Sequence, residues 1–146
     1  MEQFEIVTVI NRPVEDVFTA LQDFDKAPQW NPGLTEVRQT SDGPLGVGST
    51  VVYIGRFLGR GYESPSTYTE YVADRRLTST TTSGPFHLEV ENTLDPLDGA
   101  TRLTAVYRGE SRGFFKLAEP VVVRLTRKHF ETATENLKAL LEADAL

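Results

Sequence analysis

No cysteine occurs in the 146 residues. Disulfide staples, thiolate nucleophiles and Cys-ligated zinc are thereby excluded. Histidine is nearly as scarce: His87 and His129 are the only two. That rules out a His-rich metal centre, though not a mixed His–carboxylate one. No run approaches the ~20 apolar residues of a membrane span. The opening "MEQFEIVTVINRP" has no basic start, no long apolar stretch and no small-residue cleavage site, so the chain reads as cytoplasmic. Positive charge is in deficit, with 15 Lys and Arg against 21 Asp and Glu, a formal net charge of −6. A nucleic-acid binder carries the opposite balance, so none is expected as a partner. "GRFLGRG" lacks the GK[ST] ending and the strand-to-helix setting of a phosphate loop. No nucleophile elbow or Ser-His-Asp order is present.

What the chain does have is a regular succession of strand signals. "QFEIVTVI" (3–10) is β-branched and aromatic. Asn11 offers a helix cap and Pro13 suits a first turn. Val14, Val17, Phe18 and Leu21 then recur at the spacing of one helical face. "DFDKAPQWNPG" holds at most one more helical turn before the single Trp30. Six strand-like runs follow at 34–40, 49–57, 61–73, 76–83, 86–94 and 101–110, separated by short breaks such as "LGRG" and "LDGA". Short connections favour antiparallel neighbours. Pro65 lacks a ladder donor, so its strand should be bent, bulged or at an edge there. In 61–73 two registers are open: Tyr62, Tyr68 and Glu70 inward, or Thr67, Thr69 and Tyr71 inward.

The last long segment, Gly113–Leu141, is the one stretch that suits a long helix. Val122, Val123, Thr126, Phe130, Ala133, Leu137, Leu140 and Leu141 fall on one face, with His129, Leu125 and Asn136 at its flank. Bulky anchors fill the second half of that face, while its first half is thin. The expected fold is α+β and a single domain over 1–146: a seven-stranded, strongly curved antiparallel sheet wrapped around the C-terminal helix, with one or two short helices after the first strand. A thin helix half facing a curved sheet leaves either a cavity or a space filled by sheet aromatics. Five tyrosines each bring an apolar body and a hydroxyl, a mixture suited to orienting an apolar ligand.

Several motifs coincide in order: "VINRPVEDVFTAL", "APQWNPGLTEV", "GVGSTVVY", "TYTEYVADRRL", "LDGATRLT" and "ENLKALLE". Together they resemble the START-like (SRPBCC) superfamily, in particular its polyketide cyclase/dehydrase-like branch, over roughly residues 3–143. The resemblance implies a helix-grip fold and a deep apolar cavity for a lipid, polyketide or similar hydrophobic metabolite. It implies no particular reaction and no cofactor. It places Phe114 and Phe115 near the cavity mouth.

Within that frame the expected ligand-binding residues are Trp30, Tyr53, Tyr62, Tyr68, Tyr71, Phe86, Leu88, Tyr107, Phe115, Val122 and Thr126. His129 and Glu70 are the candidate acid/base groups, and no metal ligands are assigned. His129 reads either as a general acid/base for cyclisation or dehydration or as a hydrogen-bonded histidine at the edge of the core. "HLEVE" sets His87, Glu89 and Glu91 on one strand face, an acid/base or metal cluster if enclosed and a solvated surface if not; the alternation with Phe86, Leu88 and Val90 favours the surface. Of Arg56, Arg60, Arg108 and Arg112, one is placed to meet a ligand carboxylate. Three functions follow: a carrier or sensor of a small hydrophobic molecule, a cyclase/dehydratase, or a protein-binding regulator with a filled core. The expected partner is a small hydrophobic ligand, with no stable membrane insertion, and the chain is expected to be a monomer or weak homodimer.

Overall fold

Alternating β-branched and aromatic residues extend most of this chain, and the apolar face at its end coils the rest. The computed structural model describes residues 2–81, 86–111 and 119–146. Strand β1 (Glu2–Ile10) leads into helices α1 (Val14–Leu21) and α2 (Ala27–Trp30). Strands β2 (Leu34–Gln39), β3 (Thr50–Phe57), β4 (Arg60–Val72), β5 (Arg76–Thr81), β6 (Phe86–Leu97) and β7 (Ala100–Ser111) follow, and then helix α3 (Glu119–Glu142). The strands form one seven-stranded sheet in the order β1-β7-β6-β5-β4-β3-β2. Every neighbouring pair is antiparallel. The meander β2 to β7 thus ends beside β1, which joins the first and last strands.

Two tight hairpins support this meander. Leu58–Gly59 (φ 53 and 76) joins β3 to β4, and Asp98–Gly99 (φ 49 and 86) joins β6 to β7. Paired positive φ values match the twist of the flanking strands. Asp and Gly suit that geometry; Leu58 does not, and it is also exposed.

Strand β4 answers the register question with neither alternative whole. Ser64, Ser66 and Tyr68 are buried, and Tyr62 lies on the same side. A bulge between Tyr68 and Glu70 then resets the alternation. Tyr71 therefore joins the core and Glu70 turns to the other face of the sheet. Pro65 pairs with Val52 on β3, while pairing with β5 begins only at Ser66.

Helix α1 buries Val14, Val17 and Phe18 as its spacing predicts. Asn11 does not cap it. Pro13 holds the cap position, without a side-chain bond, and the Asn11 amide donates to Glu142 Oε2 at 2.8 Å instead. Near the same end of α3, Arg12 Nε donates to the Leu141 carbonyl at 2.8 Å and its guanidinium pairs with Asp144. Arg12 thereby serves the unsatisfied carbonyls of the helix C-terminus.

The core has two parts. The larger one, under α1, includes Ile10, Val17, Phe18, Leu94, Leu137 and Leu141. A smaller one gathers Ile6, Ala105 and Tyr107 with Phe4, Leu88, Val90 and Phe130.

Candidate functional site

Between the two cores lies a cavity of about 240 Å³. Its lining includes Leu77 and Leu137 from the larger cluster and Ala105, Tyr107 and Phe130 from the smaller one. Helix α3 presents Val123, Thr126 and Ala133 to this space. Phe130 and Leu137 of the bulky half line it as well, so the cavity runs along both halves of the apolar face.

The β1/β7 side of the wall is aromatic. Phe4 stacks on Tyr107 with centroids 5.0 Å apart, and Tyr107 stacks on Phe130 at 4.3 Å. Arg127 closes the outer end of this ladder, its guanidinium 5.9 Å from the Phe4 ring centre. The His129 ring meets Phe130 edge-on at 5.2 Å and Phe57 edge-on at 6.3 Å.

The opposite side carries hydroxyls on an otherwise apolar surface. Tyr53 and Tyr68 share a hydrogen bond of 2.9 Å, and Ser66 and Thr81 share one of 3.1 Å. Burial raises the pKa of Tyr53, Tyr62, Tyr68 and Tyr107, so these phenols stay protonated at biological pH.

His129 lies in the cavity wall. Its Nε2 is 2.8 Å from Asn31 Oδ1. Burial lowers its pKa, so the ring is neutral at pH 7. With an acceptor at Nε2, the ring carries its proton there and leaves Nδ1 as a free base. Two turns along α3, Asn136 Nδ2 donates to the Trp30 carbonyl at 3.2 Å. The helix flank therefore holds the α2–β2 connection by two polar contacts. Gly33 in that connection has φ 90, and its carbonyl accepts from the Arg56 amide at 2.9 Å. A Cβ on Gly55 would stand 2.4 Å from that same carbonyl, so only glycine fits there.

Most of the sequence-assigned residues meet here. Trp30, Tyr53, Tyr62, Tyr68, Leu88, Tyr107, Thr126 and His129 all line the cavity. Trp30 also keeps a buried indole N–H without a hydrogen-bond partner among the described residues. The Phe86 and Val122 side chains, Phe114, Phe115 and Arg112 lie outside the described residues.

Two assignments need correction. Tyr71 packs edge-on against Phe18 at 5.3 Å and donates to Gln22 Oε1 at 3.0 Å, under α1 rather than in the cavity wall. Glu70 accepts from Thr78 at 2.9 Å and pairs with Arg76 at 3.5 Å on the other face of the sheet. The bulge after Tyr68 turns Glu70 outward and Tyr71 inward, and at that end of β4 the inner side lies beneath α1. Glu89 and Glu91 lie on that outer face too, paired with Arg108, and Glu91 also with Arg76. The register of β6 runs unbroken, so His87 keeps the alternation of Glu89 and Glu91, and it also borders the cavity rim. Of the described arginines Arg56, Arg60 and Arg108, Arg56 reaches the cavity lining, and its Nη2 donates to the Gly59 carbonyl at 2.6 Å. Among the described residues no group of three or more His, Asp or Glu is arranged to hold a metal.

Sequence reading missed Asn31, the partner of His129, and the buried serines of β4. "WNPG" marked Asn31 only as a turn residue, and serines carry no pattern of burial.

Comparison with known proteins agrees with this architecture. A protein of Thermus thermophilus has the same fold at a TM-score of 0.83 and 15% identity, over 99% of this chain and 100% of that one. A START superfamily protein of Mycobacterium smegmatis matches at a TM-score of 0.78 and 17% identity, over 95% and 98%. The ZhuI aromatase/cyclase of a Streptomyces species matches at 0.75 and 16%, over 98% and 97%. No curated protein matches. Among the described residues no helix is long and apolar enough to cross a membrane. A family model described as "Polyketide cyclase / dehydrase and lipid transport" matches residues 1–142, so this chain, with its START-like helix-grip fold, belongs to that family.

Proposed function

We propose that this protein binds a small hydrophobic or aromatic molecule in the cavity between the sheet and α3. The observation that carries this reading is the 240 Å³ space itself, with an aromatic ladder on one side and paired hydroxyls on the other. A cavity of ~150 Å³ lined by apolar side chains holds a benzene ring, so this one suits a larger planar or branched apolar ligand. The family description and the hydrophobic lining support the same class of ligand. The protein works as a monomer or weak homodimer in the cytoplasm, without stable insertion into a membrane. The test is mass spectrometry of natively purified protein before and after denaturation. A stoichiometric hydrophobic compound released on unfolding is the expected result. Failure to retain or bind any apolar molecule, including added naphthalenes, would overturn the proposal.

A second reading, a cyclase or dehydratase, is favoured by one feature: neutral His129 held at Nε2 by Asn31 in the cavity wall. A base so oriented suits removal of a proton next to a ligand carbonyl. Replacement of His129 by Gln then abolishes turnover of a cyclisable polyketone but leaves its binding within about threefold. Equal turnover by the variant would sink this second reading.

A further inference from the structure

The Tyr53–Tyr68 pair has a proton to spare. Two phenols carry two O–H donors, and the single 2.9 Å bond between them uses one. Neither hydroxyl has another partner among the described residues. One O–H is therefore left without an acceptor among the described residues of the cavity wall, where a buried donor is expected to be satisfied.

The surroundings indicate which one. Tyr68 is 3% exposed and its ring lies against Phe24 at 6.4 Å, whereas Tyr53 is only half-buried. Either hydroxyl can donate in their bond; with the enclosed Tyr68 donating to Tyr53, the Tyr53 O–H is the one left over. A hydroxyl that accepts a hydrogen bond becomes a stronger donor in turn.

We infer that the Tyr53 hydroxyl, polarised by Tyr68, donates to a neutral carbonyl oxygen of the bound molecule, so that the ligand is an aryl ketone or similar planar carbonyl compound. Neutrality follows from the wall. Among the described lining residues Arg56 is the one permanent cation, and it is exposed and already bonded to the Gly59 carbonyl. A carboxylate deep in the cavity would have no counter-charge. Planarity follows from the Phe4–Tyr107–Phe130 ladder, which offers stacked rings as its pattern of contact.

This inference rests on the cavity-binding proposal, and the test separates the two. The probes are 2-acetylnaphthalene and 2-isopropylnaphthalene, matched in shape and differing in the carbonyl oxygen. Binding of both is measured to wild type, Tyr53→Phe and Tyr68→Phe, together with the carbonyl stretch of the bound ketone. Tyr53→Phe is expected to weaken the ketone about tenfold and the hydrocarbon less than about twofold. The carbonyl stretch moves to higher wavenumber in that variant. Tyr68→Phe leaves the donor in place and gives a smaller loss, about threefold.

Hydrocarbon binding also reports that each variant is folded with its cavity intact. If the hydrocarbon binds and Tyr53→Phe changes neither ketone affinity nor stretch, the donor assignment is wrong while cavity binding stands. Loss of the stretch shift in Tyr68→Phe but not in Tyr53→Phe also overturns it. If neither probe binds wild type, the cavity proposal fails and this inference fails with it.

Discussion

Filling the cavity from the helix side separates a ligand site from a packing gap that the chain cannot use. Ala133 on α3 is 2% exposed and lines the cavity. Ala133→Leu adds three carbons toward the 240 Å³ space. At ~0.8 kcal/mol per buried carbon the burial contributes about 2.4 kcal/mol. Fixing the new side chain costs about 0.5–1 kcal/mol, and exchanging Ala for Leu in a helix costs a few tenths at most. The net is a stabilisation of about 1.5 kcal/mol, or a rise in Tm of about 3–6 °C for a domain of this size. The same substitution should weaken an apolar ligand at least about tenfold, because the ligand and the leucine compete for one space. Thermal unfolding and naphthalene titration read the two effects. A closed, filled core would behave oppositely: overpacking costs about 1–3 kcal/mol, and binding elsewhere would not change. A fall in Tm with unaltered affinity would therefore refute the assignment of this space as a ligand cavity.

Other perturbations address other parts of the molecule. Burial lowers the pKa of His129 below its ordinary 6.5, so below about that pH the unfolded chain binds a proton that the native ring resists. Stability should decline as pH falls through this window, and His129→Gln should flatten the decline in urea titrations from pH 7 to 5. Gly55→Ala places a Cβ 2.4 Å from the Gly33 carbonyl. The backbone there must move, so a loss of about 1–3 kcal/mol in chemical denaturation is expected, and wild-type stability would contradict the close approach. Leu58→Gly removes a side chain from a φ of 53 at an exposed hairpin tip. Relief of ~1–2 kcal/mol of left-handed strain, offset by glycine's entropy, should leave the variant up to about 1 kcal/mol more stable.

The fold was readable because its signals are local and repeated. Strand alternation, turn residues and the apolar face of the terminal helix each need only a few neighbouring residues to be seen. That the cavity lies against the terminal helix was readable too, but it extends past Val123 and Thr126 to Phe130 and Leu137, which the sequence marked as solid core. Side-chain direction on β4 was not. A single bulge after Tyr68 moves Glu70 out of the cavity and carries Tyr71 under α1, and no residue type marks that bulge. Nor was the contact between His129 and Asn31, 98 residues apart, since it depends on how α3 lies against the α2–β2 connection. The alternation of "HLEVE" favoured a solvated surface, and the ion pairs of Glu89 and Glu91 with Arg108 and Arg76 agree with it; only those cross-strand partners were beyond a reading of one strand.

Small side chains keep the space between sheet and helix open. Ordinary substitutions at Ser64, Ser66, Ala105 and Ala133, all small and all facing the space, offer a way to fill it. Gly109 does not, because a Cβ there would meet the His87 carbonyl at 2.2 Å. A fold that keeps several fillable positions small is carrying a cost that a bound molecule would offset. A ligand at 100 times its Kd stabilises by ~2.7 kcal/mol. The chain should therefore be markedly more stable loaded than empty, and its Tm should rise with ligand concentration. The hydroxyl pair suits the same occupant from the polar side: Tyr53 and Tyr68 leave one donor unmatched among the described residues, and a carbonyl-bearing molecule that fills the space would meet it.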